Sequence, residues 1–200
     1  MRRIGIFGAS GMAREVGDIA YELGIEPVYV VKDEAEVDRF RITGSVIPES
    51  EIPSVSGLMY VIGIGDPRVR EALASKYSCA LTFTNLIHPS ATFGRGQREG
   101  VEKGRGIIVA AGSRLTNGII VGDFSIINQG ACVAHDVIID PFVHVAPGAC
   151  ISGNVHLKKG CWIGAGAVIN QGQLEQKLTI GQGAVVGSGA VVTRDCEANG

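Results

Sequence analysis

Aliphatic side chains recur at every sixth position through the second half of the chain. Eleven consecutive positions of this series, from Val109 to Ile169, hold valine, leucine or isoleucine. A second series, which follows the first by four residues and runs from Ser113 to Ala167, holds only small or apolar side chains. A period of six suits neither an α-helix, which repeats about every 3.6 residues, nor a single strand. It is typical of a parallel β-helix in which each flat face uses one hexad.

Two segments interrupt this repeat. After Ile169 the phase slips by one residue and the aliphatic series resumes at Leu174, so a short loop or bulge is expected near residues 170–173. Residues 94–106 contain five glycines and six charged side chains, and they depart from the repeat as well. We expect this second segment to extrude from the first coils.

A different pattern occupies the N-terminal third. Residues 4–7 are typical of a buried strand, and residues 8–11 of a glycine-rich turn. Residues 12–23 place their apolar side chains at helical spacing before Gly24, a natural helix end. Further elements are predicted as strands at 28–31 and 59–64 and a helix at 67–76. This order predicts an α/β domain with half of a Rossmann fold over residues 1–85, followed by a parallel β-helix over residues 86–200.

Composition and charge narrow the possible partners. The 200 residues are 46% hydrophobic with a net charge of −2, and no basic stripe is present, so nucleic acid is not an expected partner. No apolar run reaches the roughly 18 residues of a membrane span. The five cysteines include no Cys-x-x-Cys pair, which favours free thiols and a cytoplasmic location.

Five motifs together resemble one known family. The hexads Ile163–Val168 and Val186–Val191 are similar to those of the hexapeptide-repeat acyltransferases. The N-terminal motifs resemble the sialic-acid O-acetyltransferase and nucleotide-amino-sugar N-acetyltransferase group, and they are GASGMAREV at 8–16, GIGDPRVR at 63–70 and LIHPSA at 86–91. The resemblance implies a left-handed β-helix with eighteen residues per coil. It also implies acetyl-CoA and a nucleotide-linked sugar as substrates, and a homotrimer with active sites between subunits.

One histidine is placed for acid–base chemistry. His135 lies at a corner outside the aliphatic column, its neighbour Asp136 would orient the imidazole, and Gly153 stacks on it one coil later. The family resemblance makes His135 the general base, Asp136 its partner and the Gly153 N–H a donor to the oxyanion. It also makes His144 a contact of the acetyl-CoA thioester, and Trp162, eighteen residues after His144, should stack over it.

The resemblance assigns further residues to the two substrates. Backbone groups of Gly153, Ala165 and Ser188 would contact CoA. The nucleotide would lie against residues of the glycine turn and two strand ends, which are Ser10, Gly11, Met12, Ala13, Asp33 and Gly65. Asn128 would be a polar residue near the base. The full Gly-x-Gly-x-x-Gly spacing of a dinucleotide site is absent. Taken alone, the glycine turn is also explained by the tight connection between a strand and a helix, without any ligand.

Other interpretations remain at this stage. The acceptor is either an amine on a nucleotide-linked sugar or a sugar hydroxyl, as in sialic acid. A third possibility is a binding protein or a metal-dependent hydratase with the same fold, although His135, His144 and His156 are not spaced by multiples of eighteen and no metal is expected. The family's C-terminal Gly-Pro-Ala segment is absent before Gly200, so either the sequence is truncated or CoA is held more loosely.

Overall fold

The computed structural model describes residues 2–40, 44–54 and 57–200. The N-terminal domain contains a parallel sheet in the order β3-β2-β1-β4, made of β1 (Arg2–Phe7), β2 (Ile25–Val31), β3 (Ser45–Pro48) and β4 (Met59–Ile62). Its helices are α1 (Gly11–Glu22), α2 (Glu34–Arg39) and α3 (Pro67–Lys76), with a 3-10 turn at Glu49–Ser54. The sequence predicted β1, α1 and α3 closely. It missed α2 and β3, which are short and weakly patterned.

The second half folds into a left-handed parallel β-helix with three faces. The first face contains β5 (Leu86–Ile87), β7 (Ile108–Val109), β10 (Ile126–Ile127), β13 (His144–Val145), β16 (Trp162–Ile163) and β19 (Val185–Val186). The second contains β6 (Thr92–Phe93), β8 (Arg114–Leu115), β11 (Cys132–Val133), β14 (Cys150–Ile151), β17 (Val168–Ile169) and β20 (Val191–Val192). The third contains β9 (Ile120–Val121), β12 (Ile138–Ile139), β15 (Val155–Leu157) and β18 (Leu178–Ile180).

The predicted aliphatic column fills the interior of this prism. Ten of its eleven members are buried, and Val121 is half-buried near the first coil. Two serines of the second series are buried as well, because their hydroxyls donate to backbone carbonyls of the corners, as Ser113 does to Ala110 and Asn128 at 2.9 Å. The neighbouring strands pair at an offset of eighteen, so Cys132 lies beside Cys150, both as free thiols.

The interruption after Ile169 is larger than the sequence suggested. Leu157 pairs with Ile180 and Ile163 with Val186, which is an offset of 23 instead of eighteen. The coil formed by β16, β17 and β18 therefore carries a five-residue insertion between β17 and β18. The expected loop is present and the column resumes at Ile180, but the loop is longer than the short one expected at residues 170–173. Leu174, assigned to the aliphatic column, lies 81% exposed in the resulting loop.

The segment 94–106 does not extrude either. It forms α4 (Gln97–Glu102), which lies against β9 at the end of the third face. The buried Gln97 amide exchanges two hydrogen bonds with the backbone of Ile119, accepting at 2.9 Å and donating at 2.7 Å. A side chain thus replaces the missing neighbouring strand, and the segment caps the prism.

The first face packs on the N-terminal domain. Leu86, Ile108 and Ile126 share a buried cluster with Ile4 and Ile6 of the sheet. None of the helices in the described ranges is long and apolar enough to span a membrane.

Candidate active site

A histidine–aspartate pair occupies the corner after β11. The Nδ1 atom of His135 lies 2.8 Å from Oδ2 of Asp136, and both side chains are about half-exposed. Because the carboxylate accepts a hydrogen bond, it selects the tautomer with a proton on Nδ1. The Nε2 atom is then unprotonated and free to accept a proton from a substrate.

Asp136 adopts a backbone conformation that few side chains tolerate, with φ of 60°. Three contacts from other coils hold it there. Its N–H donates to the carbonyl of Asn117 at 3.0 Å, and its own carbonyl accepts from Nζ of Lys177 at 2.5 Å. Its carboxylate lies over Gly118, where an added Cβ would come within 2.7 Å of Oδ1. The surrounding coils therefore define the orientation of this carboxylate.

Gly153 lies directly beside the His135 ring, as the eighteen-residue offset predicted. A Cβ on Gly153 would lie 2.5 Å from both Cε1 and Nε2 of the imidazole, so any larger residue would displace the ring. The next N–H, from Asn154, donates to the His135 carbonyl at 3.0 Å. Within the described residues the N–H of Gly153 has no hydrogen-bond acceptor. An amide donor without a protein partner thus lies beside the free nitrogen of His135.

His144 has entirely different surroundings on the first face. It is 3% exposed, and its ring stacks on Trp162 with centroids 3.9 Å apart and planes 8° apart. The turn after β4 lies against both rings, where a Cβ on Gly65 would sit 3.4 Å from the Trp162 ring and 3.6 Å from Cε1 of His144. The predicted stack is present, but the N-terminal domain covers it.

This burial determines the protonation of His144. Desolvation, assisted by the positive charge of Arg70, lowers the pKa of His144 to about 3, and a hydrogen bond with the backbone of Gly65 opposes the shift only in part. The ring is therefore neutral near pH 7 and too weak a base to take a proton from an amine. Its Nδ1 atom is buried without a hydrogen-bond partner among the described residues.

The residues assigned to the nucleotide lie where the parallel strands end. Ser10 is the exposed N-cap of α1 after β1, and Asp33 is the N-cap of α2 after β2, accepting from the N–H of Glu36 at 3.2 Å. Ligands of doubly wound sheets bind at this edge. Gly11 and Met12 begin α1 and stay accessible, whereas Ala13 is fully buried, so its side chain packs in the core.

Asn128 lies close to this turn and not beside the base of its own chain. Its Nδ2 donates to the Met12 sulfur at 3.7 Å, and the residue is 4% exposed at the corner between the first and second faces. His135 lies at the next corner along the chain. The structure thus brings Asn128 to the glycine turn and His135 to Gly153, in two separate groups.

A ridge of small exposed residues follows the corner next to His144. Ala165 and Ser188 lie above Pro147 in consecutive coils, since the N–H of Gly166 donates to Pro147 and that of Gly189 to Ala165. Small side chains there would let an extended chain approach the backbone closely. On the far side of Trp162, a cleft of about 780 Å³ separates the start of α3 from the last coils.

Sequence reasoning missed three residues of these groups. Gly118 was within its reach, because it precedes Asp136 by eighteen residues. Lys177 was not, since the insertion between β17 and β18 breaks the offset of eighteen that would have located it. Arg70, which donates to the turn beside His144, lies in the N-terminal domain outside the repeat, so no offset of eighteen could relate it to the site. The described residues contain no group of three or more histidine, cysteine, aspartate or glutamate side chains able to hold a metal ion.

Known proteins match both halves of the chain. The family described as the PglD N-terminal domain matches residues 3–77. WeeI from Acinetobacter baumannii AYE is 28% identical, with a TM-score of 0.85 and coverage of 100% of this chain and 95% of that one. No curated protein matches the chain.

Two further solved structures contain bound ligands. The acetyltransferase domain of PglB from Neisseria gonorrhoeae FA1090, in complex with acetyl coenzyme A, is 28% identical with a TM-score of 0.80, covering 98% of this chain and 93% of that one. PerB from Caulobacter crescentus, in complex with CoA and GDP-perosamine, is 27% identical with a TM-score of 0.83, covering 100% and 92%. A related structure names this Caulobacter enzyme a perosamine N-acetyltransferase.

Proposed function

This chain belongs to the hexapeptide-repeat sugar acetyltransferases, and we propose that it transfers the acetyl group of acetyl-CoA to the amine of a nucleotide-linked amino sugar. The observation that carries the proposal is the corner formed by His135, Asp136 and Gly153. It presents a half-exposed base, the anion that orients it and an amide donor without a protein partner. These are the groups that acyl transfer requires.

In the proposed mechanism the amine attacks the thioester carbonyl directly. Nε2 of His135 takes the proton that the amine loses, while Asp136 stabilises the imidazolium through Nδ1. The N–H of Gly153 donates to the oxyanion of the tetrahedral intermediate. As the carbon–sulfur bond breaks, His135 returns the proton to the leaving thiolate, so the products are an amide and CoA thiol. No covalent acyl-enzyme is required.

The acceptor is proposed to bind at the carboxyl edge of the N-terminal sheet. Ser10, Gly11 and Met12 would surround the nucleotide phosphates with Asp33 and Gly65, and Asn128 would contact the sugar beside them. The buried Ala13 would contribute its backbone only. GDP-perosamine bound to a relative of similar fold supports a nucleotide-linked sugar, though not one particular base.

The acyl donor is proposed to follow the ridge of Ala165 and Ser188. Trp162 would border the pantetheine chain. The resemblance places His144 near the thioester, but in this structure its ring is 3% exposed and its Nδ1 atom is buried, so we propose that His144 supports the Trp162 ring beneath the donor.

We also propose a homotrimer, because the base and the donor ridge lie at different corners of one prism. In a trimer the His135 corner of one subunit would meet the ridge of another, completing the site. Light scattering at micromolar concentration should give three times the chain mass, and a monomer would contradict this. The cytoplasmic location suggested by the free thiols stays a prediction.

The decisive experiment measures CoA thiol release with purified protein and a panel of nucleotide-linked amino sugars. Each sugar is paired with an analogue in which a hydroxyl replaces the amine. Release that depends on the amine supports N-acetylation, and release with both members of a pair indicates O-acetylation. No release with any acceptor, together with no binding of acetyl-CoA by calorimetry, would contradict the proposal.

A further inference from the structure

Arg70 is a buried cation that the proposed chemistry does not use. It is the last residue of the GIGDPRVR motif, lies in α3 and is 1% exposed. All five of its N–H donors have an acceptor. The acceptors are the carbonyl oxygens of Phe124 at 3.0 Å from Nε, Ile64 and Gly65 at 3.0 and 2.6 Å from Nη1, and Phe142 and Val143 at 2.6 and 3.1 Å from Nη2.

The guanidinium keeps its charge in spite of this burial. Desolvation lowers the pKa of Arg70 to about 10, with Asp66 acting in the opposite direction, so the group is protonated near pH 7. No carboxylate forms an ion pair with it in the described part of the chain. The five carbonyl dipoles therefore stabilise the charge, and the planar fork of donors fixes their positions.

These carbonyls come from two different units of the molecule. Ile64 and Gly65 form the turn after β4, which lines the proposed acceptor site. The other three belong to the β-helix. Phe124 and Phe142 stack their rings with centroids 5.4 Å apart, and Val143 directly precedes His144. Arg70 is thus bonded at once to the acceptor domain and to the coil that carries His144.

We infer that Arg70 is a positioning residue for acetyl transfer: it fixes the Gly65 turn of the acceptor domain on the β-helix, so that the sugar amine is presented in one orientation. The inference rests on the proposed function for its catalytic part. Gly65 is the point of contact, because the same turn accepts from Arg70 and lies against His144 and Trp162. A rigid turn here holds the two halves of the site in register.

The test is Arg70→Lys, which keeps the charge and replaces a planar fork of five donors by an ammonium with three. Arg98→Lys is the matched control, since Arg98 is an exposed arginine on α4. Trp162, the only tryptophan, reports on the junction through its stacking on His144. We expect Arg70→Lys to fold and to shift Trp162 emission to longer wavelength. Its kcat/KM for the acceptor should fall by about 10- to 100-fold, the effect of a misplaced substrate.

Three results would overturn the inference. One is an Arg70→Lys protein that melts at a lower temperature while its folded form keeps the wild-type kcat/KM and Trp162 emission. Another is an equal loss with Arg98→Lys. The third is failure of both Arg70→Lys and Arg70→Met to fold, which would make Arg70 a folding residue only. Absence of turnover by the wild-type protein would contradict the proposed function instead, because the emission of Trp162 reads the junction without substrates.

Discussion

The corner at His135 and the junction at His144 place the same side chain in opposite environments. His135 is half-exposed, bonded to a carboxylate and adjacent to a glycine that leaves its ring accessible. His144 is enclosed between Trp162 and the N-terminal domain, close to the charge of Arg70. Nine residues separate them, which is half a coil. The side chains therefore project from different parts of the prism.

The contrast separates two uses of imidazole. An exposed ring that is hydrogen-bonded to a carboxylate through one nitrogen leaves the other nitrogen accessible to a substrate, as a general base must. A desolvated ring near a cation stays neutral and serves as a flat, polarisable packing surface. Four substitutions test this division.

The largest effect is expected for His135→Ala. Removing a positioned general base lowers kcat by about 100-fold or more, while folding and acetyl-CoA binding should be unaffected because the corner is exposed. Steady-state kinetics on protein free of contaminating transferase measures this.

The chain offers a matched control for His135→Ala. His156 pairs with Asp140 at 2.9 Å on the third face, so His156→Ala removes a similar pair away from Gly153. Near wild-type turnover by His135→Ala, or an equal loss with His156→Ala, would remove His135 from the mechanism.

The second prediction concerns the sensitivity to acid that the buried His144 gives the folded chain. Its pKa is about 3 in the folded chain against an ordinary value of 6.5, so only the unfolded chain gains a proton between these values. Above pH 6.5 the ring is neutral in both states, so His144 does not make the free energy of unfolding depend on pH. As the pH drops below 6.5, the free energy of unfolding falls because the unfolded chain binds a proton that the folded chain does not. The loss should reach about 2 kcal/mol at pH 5.

His144→Phe keeps an aromatic ring on Trp162 and removes the titration. Urea unfolding at pH 7 and pH 5 should show a smaller acid loss for this variant than for the wild type. Identical losses in the two proteins would show that His144 is not kept neutral by the fold.

A smaller effect is expected for Asp136→Asn. Asparagine tolerates the same backbone conformation, so the variant loses the anion that stabilises the imidazolium and little else. We expect kcat to fall by about tenfold with both KM values nearly unchanged, because water replaces part of the orienting hydrogen bond. Asp140→Asn, which alters the partner of His156, should leave kcat at the wild-type level.

Lys177→Met should have the smallest effect. It removes the ammonium that donates to the Asp136 carbonyl from the loop between β17 and β18. Because this contact is exposed, its loss should lower kcat by only about threefold. Lys103→Met, at the exposed end of α4, is the control. A wild-type kcat in Lys177→Arg would support a role of this hydrogen bond in turnover. An unchanged kcat in Lys177→Met would exclude that role.

Much of the corner was predictable because a repeat converts sequence distance into spatial distance. An offset of eighteen placed Gly153 beside His135, Trp162 on His144 and Cys132 beside Cys150, and the structure contains all three pairs. The same arithmetic failed after Ile169. A loss of one residue and a gain of five leave the same phase in a period of six, so the pattern predicted a short loop with Leu174 in the column, whereas the chain has a longer loop with Leu174 exposed.

The β-helix, its buried column and the neighbours within each stack follow from the order of the amino acids alone, because every coil repeats the same backbone geometry. The contacts between the two domains, in contrast, depend on how the folded units pack together. Arg70 bonds to Phe142 across 72 positions, and Met12 meets Asn128 across 116. No period relates such residues. Their proximity depends on how a sheet edge docks against a flat face, which follows from the packing of whole surfaces and from no local pattern.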